Sequence, residues 1–260
     1  MRLSASNIGW AAEQDETVYG WMKQLGYQGV EIAPTRLFPA EPYRHLAGAA
    51  MFAGAMAQNY GFVVPSMQSI WYGRGENLFD PAGAETLAGY TEQALEFALA
   101  CRCKNLVFGC PRNRSVPAGH TGAEADGFFE RLAYLARRRG AVIALEANPP
   151  MYNTNFLNTH KEAFALARRL GRPGLAVNLD VGAMVANGET AADAAAGLDL
   201  VSHVHISEPG LAPIERRPLH RELAMALRAV GYRGFVSLEM KAGDQAALRR
   251  SLEYLAEVFG

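Results

Sequence analysis

The sequence predicts a single-domain (β/α)8 barrel over residues 1–260, and three observations point to that fold. Short apolar runs alternate with longer amphipathic segments eight times along the chain. The runs are mostly continuous in hydrophobicity, as in parallel strands that are buried on both faces. Glycine-containing turns, such as LGYQG at 25–29 and VGYRG at 230–234, end several helical segments before the next strand begins.

The individual elements follow from this alternation. In chain order, the predicted strands are Leu3–Ser6, Gly29–Ala33, Phe62–Ser69, Asn105–Gly109, Ala141–Glu146, Leu175–Asp180, Val201–Ser207 and Phe235–Met240. The predicted helices between them are Thr17–Leu25, Tyr43–Tyr60, Ala82–Ala100, Ala123–Arg139, Lys161–Leu170, Thr190–Gly197, Leu219–Val230 and Asp244–Val258. The last helix shows the periodicity clearly, because Leu248, Leu252 and Leu255 lie on one apolar stripe. Eight such units are typical of a barrel of roughly 250 residues.

A doubly wound open sheet is the alternative fold. Such a sheet usually carries a glycine-rich phosphate-binding turn after its first strand. The segment SNIGW at 6–10 lacks that glycine pattern. The closed barrel is therefore preferred.

Composition and charge narrow the class of protein. Hydrophobic residues make up 50% of the chain and charged residues 20%, which is a globular balance. The net charge of -1 provides no field for holding nucleic acid or an acidic membrane surface. No apolar run reaches the roughly 18 residues of a membrane span, and MRLSASNIGW lacks the apolar core of a signal peptide. We expect a cytoplasmic protein that acts on small molecules.

The three cysteines, Cys101, Cys103 and Cys110, match no zinc-ribbon spacing. They are expected to be reduced, partly buried thiols.

Four successive predicted strands in the second half of the chain end in a hard metal ligand: Glu146, Asp180, His205 and Glu239. They follow one another at intervals of about 25 to 34 residues, which is one strand-plus-helix unit each. The carboxyl ends of barrel strands meet at one face, so the four side chains are expected side by side. Each alone has an ordinary explanation as an ion pair, turn cap or core histidine. Together they predict a bound cation, because buried carboxylates are costly without one.

Three carboxylates with one imidazole suit Mn²⁺ or Mg²⁺, with Co²⁺ or Zn²⁺ as substitutes. One divalent ion that chelates a carbonyl and a neighbouring hydroxyl of a sugar acidifies the adjacent C–H bond. A carboxylate beside it can then move the proton. This is the chemistry of ketose epimerases and of aldose–ketose isomerases.

Motifs along nearly the whole chain resemble the xylose isomerase-like barrel superfamily. They are GVEIAP, NLVFGCPRNR, ALEANP, NLDVG, HVHISEPG and LEMK at the second and the fourth to eighth strands. The resemblance is strongest to sugar phosphate isomerases and epimerases, a group that includes tagatose and psicose 3-epimerases and hydroxypyruvate isomerase. It implies a metal held by Glu146, Asp180, His205 and Glu239. It also implies that Glu146 and Glu239 are the catalytic acid/base pair on opposite faces of the substrate carbon.

Two positions depart from the characterised 3-epimerases. The residue three after the metal-binding Asp is Ala183 instead of a substrate-binding His, and the residue six after the first metal-binding Glu is Tyr152 instead of Glu. Either other groups bind the hydroxyls, or the enzyme is a lyase that dehydrates an inosose or a dehydroshikimate. Endonuclease IV shares the barrel, but its three zinc ions need more histidines than the six of this chain.

Substrate contacts are expected from polar groups near the strand ends, namely Gln68, Arg112, Arg114, Asn148, Tyr152, His220 and Lys241. Arg112 and Arg114 are the expected anchor of an anionic substrate, because guanidinium groups bind phosphate and carboxylate through paired hydrogen bonds. The aromatic residues Trp10, Trp71 and Tyr72 are expected either to shield a sugar face or to pack in the core.

Two further alternatives stay open at this stage. A non-catalytic sugar-binding barrel has the same fold, because function depends on sites and not on the fold. A homo-oligomer is compatible with the sequence. The sequence does not identify the sugar substrate or whether that sugar is phosphorylated.

Overall fold

The computed structural model describes all residues, 1–260. Seven parallel strands form one curled sheet in the order β2-β1-β7-β6-β5-β4-β3. The strands are β1 (Arg2–Ser6), β2 (Gly29–Glu31), β3 (Asn105–Phe108), β4 (Val142–Glu146), β5 (Leu175–Asp180), β6 (Val201–Ile206) and β7 (Phe235–Leu238).

An eighth, irregular segment closes the barrel between β2 and β3. It is the predicted third strand, Phe62–Ser69, and only Val63 and Met67 form parallel bridges to its neighbours. The N–H of Val30 donates to Val63 O at 3.0 Å, and the N–H of Val107 donates to Met67 O at 2.8 Å. Pro65 has no N–H, so a continuous ladder of hydrogen bonds cannot form here. The predicted eightfold barrel is confirmed, with this strand reduced to three bridges made by two residues.

Ten helices connect the strands. They are α1 (Asp15–Gln24), α2 (Pro34–Leu37), α3 (Leu46–Tyr60), α4 (Pro81–Ala100), α5 (Asp126–Arg138), α6 (His160–Leu170), α7 (Val181–Asn187), α8 (Ala191–Ala195), α9 (Pro218–Ala229) and α10 (Gln245–Phe259). The short helices α2 and α7 were not predicted from the periodicity. α7 begins immediately after β5 because the Asp180 side chain caps it by accepting from the Ala183 N–H. None of these helices is both long and apolar enough to cross a membrane.

The two faces of the strands differ in polarity. Alternate residues such as Leu3, Val204 and Val236 belong to one cluster of 64 buried hydrophobic residues. The intervening positions carry polar side chains that are also buried, among them Ser4, Glu31, Ser66, Asn105, Asn178, His203 and Ser237. Barrel interiors are usually filled by branched aliphatic side chains. This barrel instead encloses polar groups, which lead up to the carboxyl ends of its strands.

Candidate metal centre

The structure brings the four predicted ligands together. The Nδ1 atom of His205 lies 3.2 Å from Glu146 Oε2, 3.3 Å from Glu239 Oε2 and 3.9 Å from Asp180 Oδ2. Strand register explains part of this convergence, since Asp180 and His205 are direct partners in the β5–β6 pairing. Glu239 follows β7 directly, and its N–H donates to Ile206 O at 2.9 Å, which keeps it beside the end of β6.

Glu31 fixes the orientation of the His205 ring. Its Oε1 lies 2.9 Å from His205 Nε2, and its Oε2 accepts from Ser237 Oγ at 2.9 Å. Burial alone would raise the pKa of Glu31, but the His205 and His203 rings beside it hold that pKa well below the usual range. An ionised Glu31 accepts the Nε2–H of His205, so Nδ1 faces the three carboxylates and can bind a metal once its own proton has left. This is the carboxylate–histidine arrangement common behind metal ligands.

Asp180 is held from two sides. Ser207 Oγ donates to its Oδ2 and the Ala183 N–H donates to its Oδ1, both at 2.6 Å. Burial, together with the neighbouring Glu146 and Glu239, raises the pKa of Asp180 to about 8. The pKa rises because three carboxylates in this space carry more negative charge than one imidazole offsets. A divalent cation fits the site because it would supply the missing positive charge.

Glu146 is positioned by two amides and by a close backbone approach. Asn178 Nδ2 donates to its Oε2 at 2.7 Å, and Asn148 Nδ2 donates to its Oε1 at 3.1 Å. A side chain at Gly109 would place its Cβ only 2.8 Å from Glu146 Oε1. Although burial acts to raise the pKa of Glu146, the nearby His205 outweighs it and the pKa is lowered. Glu146 is therefore an ionised, oriented carboxylate.

Two of the predicted substrate contacts, Asn148 and Tyr152, lie in or beside this cluster, whereas Gln68 lies at the end of the third-strand segment. Asn148 touches Glu146 directly, as described above. Gln68 is buried and its amide donates to Ser6 Oγ at 2.6 Å. Tyr152 is partly exposed, and its hydroxyl accepts from the Gly210 N–H at 2.9 Å. Burial, and then the charges of Asp180, Glu239 and Glu146, raise its pKa. The Tyr152–Gly210 contact thus joins the loops after β4 and β6 close to the carboxylates.

The two predicted arginines have different surroundings. Arg112 is exposed and lines a cavity of about 410 Å³ together with Tyr72, Arg74 and Cys110. Arg114 is completely buried, and its guanidinium donates to Glu146 O at 2.9 Å and to Leu157 O at 3.3 Å. The structure thus differs from the prediction for Arg114, which holds the loop after β4 and has no free face for a substrate.

His220 and Lys241 also lie apart from the cluster. His220 is fully buried, its Nδ1 is 3.2 Å from Tyr254 Oη on α10, and burial lowers its pKa to about 4. Lys241 lies beyond the end of β7 at Leu238, and its side chain is exposed. Neither residue forms a hydrogen bond to the four ligands.

The aromatic residues and the cysteines singled out in the sequence lie in different surroundings. Trp10 and Trp71 pack in the core, where their indole N–H groups donate to Asp15 and to Thr91. Tyr72 is 70% exposed, and it lines a cavity together with an edge of the buried Trp71. The three cysteines are free, two of them buried and one partly buried, as predicted.

Four residues that support the ligands were missed as functional positions. They are Glu31, Asn178, Ser207 and Ser237. Strand alternation could have identified three of them, because Asn178, Ser207 and Ser237 each lie two residues from a predicted ligand. Residues two apart point to the same side of a strand. Glu31 ends the second strand, but its partner was not identifiable from chain spacing.

Comparisons with known proteins agree with this architecture. A D-psicose 3-epimerase from Clostridium cellulolyticum H10, solved with D-tagatose, has a TM-score of 0.80 at 16% identity, covering 100% of this chain and 98% of its own. A 3-keto-D-glucoside 4-epimerase from E. coli has a TM-score of 0.76 at 20% identity, covering 99% of both chains. An AP endonuclease of family 2 from Brucella melitensis has a TM-score of 0.75 at 19% identity, again covering 99% of both.

These likenesses lie below 25% identity and show the shared fold. No curated protein sequence matches the chain. The family model described as xylose isomerase-like TIM barrel matches residues 20–258, which is most of the chain. The chain therefore belongs to the xylose isomerase-like TIM barrel family.

Proposed function

We propose that the protein is a divalent-metal-dependent isomerase or epimerase of a small sugar, sugar phosphate or related hydroxy-carbonyl compound. The observation that carries this proposal is the convergence of Glu146, Asp180 and Glu239 on Nδ1 of His205, with Nε2 turned to Glu31. The four residues would hold one ion, with Mn²⁺ or Mg²⁺ the best match to three oxygen donors and one imidazole. The sugar epimerases among the structures of the same fold support this assignment.

When bound, the metal would polarise a substrate carbonyl and so acidify the neighbouring C–H. Glu146 and Glu239 would then share the proton transfer. One carboxylate takes the proton from the carbon beside the carbonyl, and the other returns a proton to the opposite face or to the adjacent carbon. Both have an Oε2 within 3.3 Å of the same imidazole nitrogen, although they come from strands separated by β5 and β6.

Substrate recognition would differ from that of the 3-epimerases. Ala183 offers no hydrogen bond from its side chain, and Tyr152 presents a neutral phenol near the carboxylates. We assign hydroxyl binding to Tyr152 and Asn148, which lie in or beside the cluster, and to the buried amide of Gln68 at the end of the third-strand segment. Arg112 is the guanidinium at this end of β3 without a protein partner, so it is the anchor for an anionic group. Lys241 retains a role only if its exposed side chain turns towards the bound substrate.

The test measures solvent exchange of substrate C–H protons in D₂O by the Mn²⁺-loaded protein with a panel of ketoses and ketose phosphates. Glu146→Gln and Glu239→Gln should each slow exchange by roughly 10²- to 10⁴-fold. Metal content is assayed in parallel, because each residue is also a ligand. Glu222→Gln, on the exposed side of α9, is the matched control and should exchange normally.

Two results would change the assignment. Full exchange by either metal-loaded Gln variant would move the acid/base role to another residue. Formation of a dehydrated product from an inosose or a dehydroshikimate, without epimerisation of any sugar, would identify a lyase built on the same metal centre.

A further inference from the structure

The barrel end opposite the metal centre opens into a basic cavity, which we call the basal cavity. It has a volume of about 280 Å³ and lies among the amino-terminal ends of the strands. Three cations line it, namely Arg2, Arg102 and Lys104, and no acidic residue does. The chain as a whole has a net charge of -1, so this is a local excess of positive charge.

Most of the side-chain donors of these cations have no protein partner. Arg102 and Lys104 form no side-chain hydrogen bond or ion pair, whereas exposed arginines elsewhere, such as Arg131 and Arg172, pair with glutamates. Arg2 stacks on the Phe235 ring at 4.2 Å and uses its Nε to donate to Arg233 O at 3.1 Å. Its two terminal nitrogens remain free. The stacking fixes the position of the guanidinium beside the cavity.

The backbone at Arg102 supports a role for its side chain. Helices α3, α6 and α7 end in a left-handed glycine, at Gly61, Gly171 and Gly188. After α4 the left-handed position is occupied by Arg102, with φ of 59°. A non-glycine residue there costs roughly 1–2 kcal/mol. Strained residues of this kind concentrate at ligand and active sites.

The inner wall of the cavity is polar as well. Asn105 and Ser202 line it and are joined by a hydrogen bond of 2.6 Å from Ser202 Oγ to Asn105 Oδ1. The buried ring of His203 completes this wall. A ligand here would meet charged groups at the rim and neutral polar groups beneath.

We propose that the basal cavity binds a small oxyanion, either inorganic phosphate or the phosphoryl group of a small metabolite. Guanidinium and ammonium groups without carboxylate partners are the groups that recognise phosphate in proteins. The volume lies near the lower limit of small-molecule sites, about 300 Å³, and so fits a phosphate or a short phosphorylated chain better than a nucleotide. The site is separate from the metal centre and does not depend on the function proposed above.

The test is isothermal titration calorimetry of the full chain with inorganic phosphate and with glycerol phosphate, at an ionic strength held constant with NaCl. Wild type should show saturable binding at one site. The double variant Arg102→Gly/Lys104→Ala should bind at least about tenfold more weakly, since it loses two charge-assisted contacts. Arg102→Gly also relieves the left-handed strain, so the variant should fold at least as well as wild type by thermal unfolding.

Two controls locate the site. Arg137→Ala, an exposed and unpaired arginine on α5, should bind phosphate like wild type. Binding of glycerol phosphate as well as phosphate would identify a phosphorylated metabolite as the ligand class, and binding of phosphate alone would identify the free ion. The inference is wrong if the double variant binds as tightly as wild type, if wild type shows no saturable binding, or if Arg112→Ala abolishes it.

Discussion

Metal affinity should rise steeply with pH between pH 6 and 8, because protons and metal compete for the same carboxylates. In the metal-free protein, burial and two neighbouring carboxylates raise the pKa of Asp180 to about 8. Metal ligands bind in the deprotonated form. About half of Asp180 is ionised at pH 8 and about one hundredth at pH 6, so Mn²⁺ should bind at least about fifty-fold more weakly at pH 6. His205 acts in the same direction, because burial opposes but Glu31 and Glu239 raise its pKa well above normal.

The corresponding stability change can be worked out from mass action. At a Mn²⁺ concentration one hundred times the dissociation constant at pH 8, binding adds about 2.7 kcal/mol to the unfolding free energy. At pH 6 the same concentration is only about twice the dissociation constant, and the gain falls to about 0.6 kcal/mol. For a protein of this size, the difference corresponds to a Tm shift of roughly 4–8 °C.

The assay compares thermal unfolding with and without Mn²⁺ at each pH, which cancels the pH dependence of the apo protein. Calorimetric titration at pH 6, 7 and 8 gives the affinities directly. Asp180→Asn is the control, because it removes the titrating group and should bind weakly with a flatter pH dependence. Mn²⁺ affinity that is constant, or that increases towards pH 6, would refute the proposed proton competition.

Four other substitutions test the geometry. Glu31→Gln should weaken metal binding by about 10- to 100-fold, measured by calorimetry, because a neutral amide no longer fixes the His205 tautomer; unchanged affinity would count against that role. Gly109→Ala should lower metal affinity by displacing Glu146, since the added Cβ would lie 2.8 Å from its Oε1, and metal binding like that of wild type would show that the loop yields. Arg114→Ala should lower the unfolding free energy by about 1–3 kcal/mol, because the Glu146 carbonyl loses its donor, whereas Arg112→Ala should leave stability unchanged and raise KM only for an anionic substrate. Equal effects of the two arginine variants on KM would contradict this division.

Local patterns in the sequence were sufficient to predict the barrel and to group the four candidate ligands, which the fold brings together. Apolar runs and amphipathic segments are properties of neighbouring residues, and both persist in the folded chain. The convergence of the four candidate ligands was predictable because each ends a strand, and in a parallel barrel all strands end at one face. No knowledge of strand pairing or register was therefore needed to group Glu146, Asp180, His205 and Glu239.

The tertiary structure decided which side chains support the ligands and which remain free. Glu31 lies 174 residues from His205 in the chain, and only barrel closure brings the two into contact. Arg112 and Arg114 are equivalent candidates in the sequence. The loop after β3 exposes Arg112 and buries Arg114, whose guanidinium donates to the Glu146 carbonyl. The basal cavity depends in the same way on strand starts that are distant in sequence. Such contacts follow from register, closure and side-chain direction, which residue periodicity does not specify.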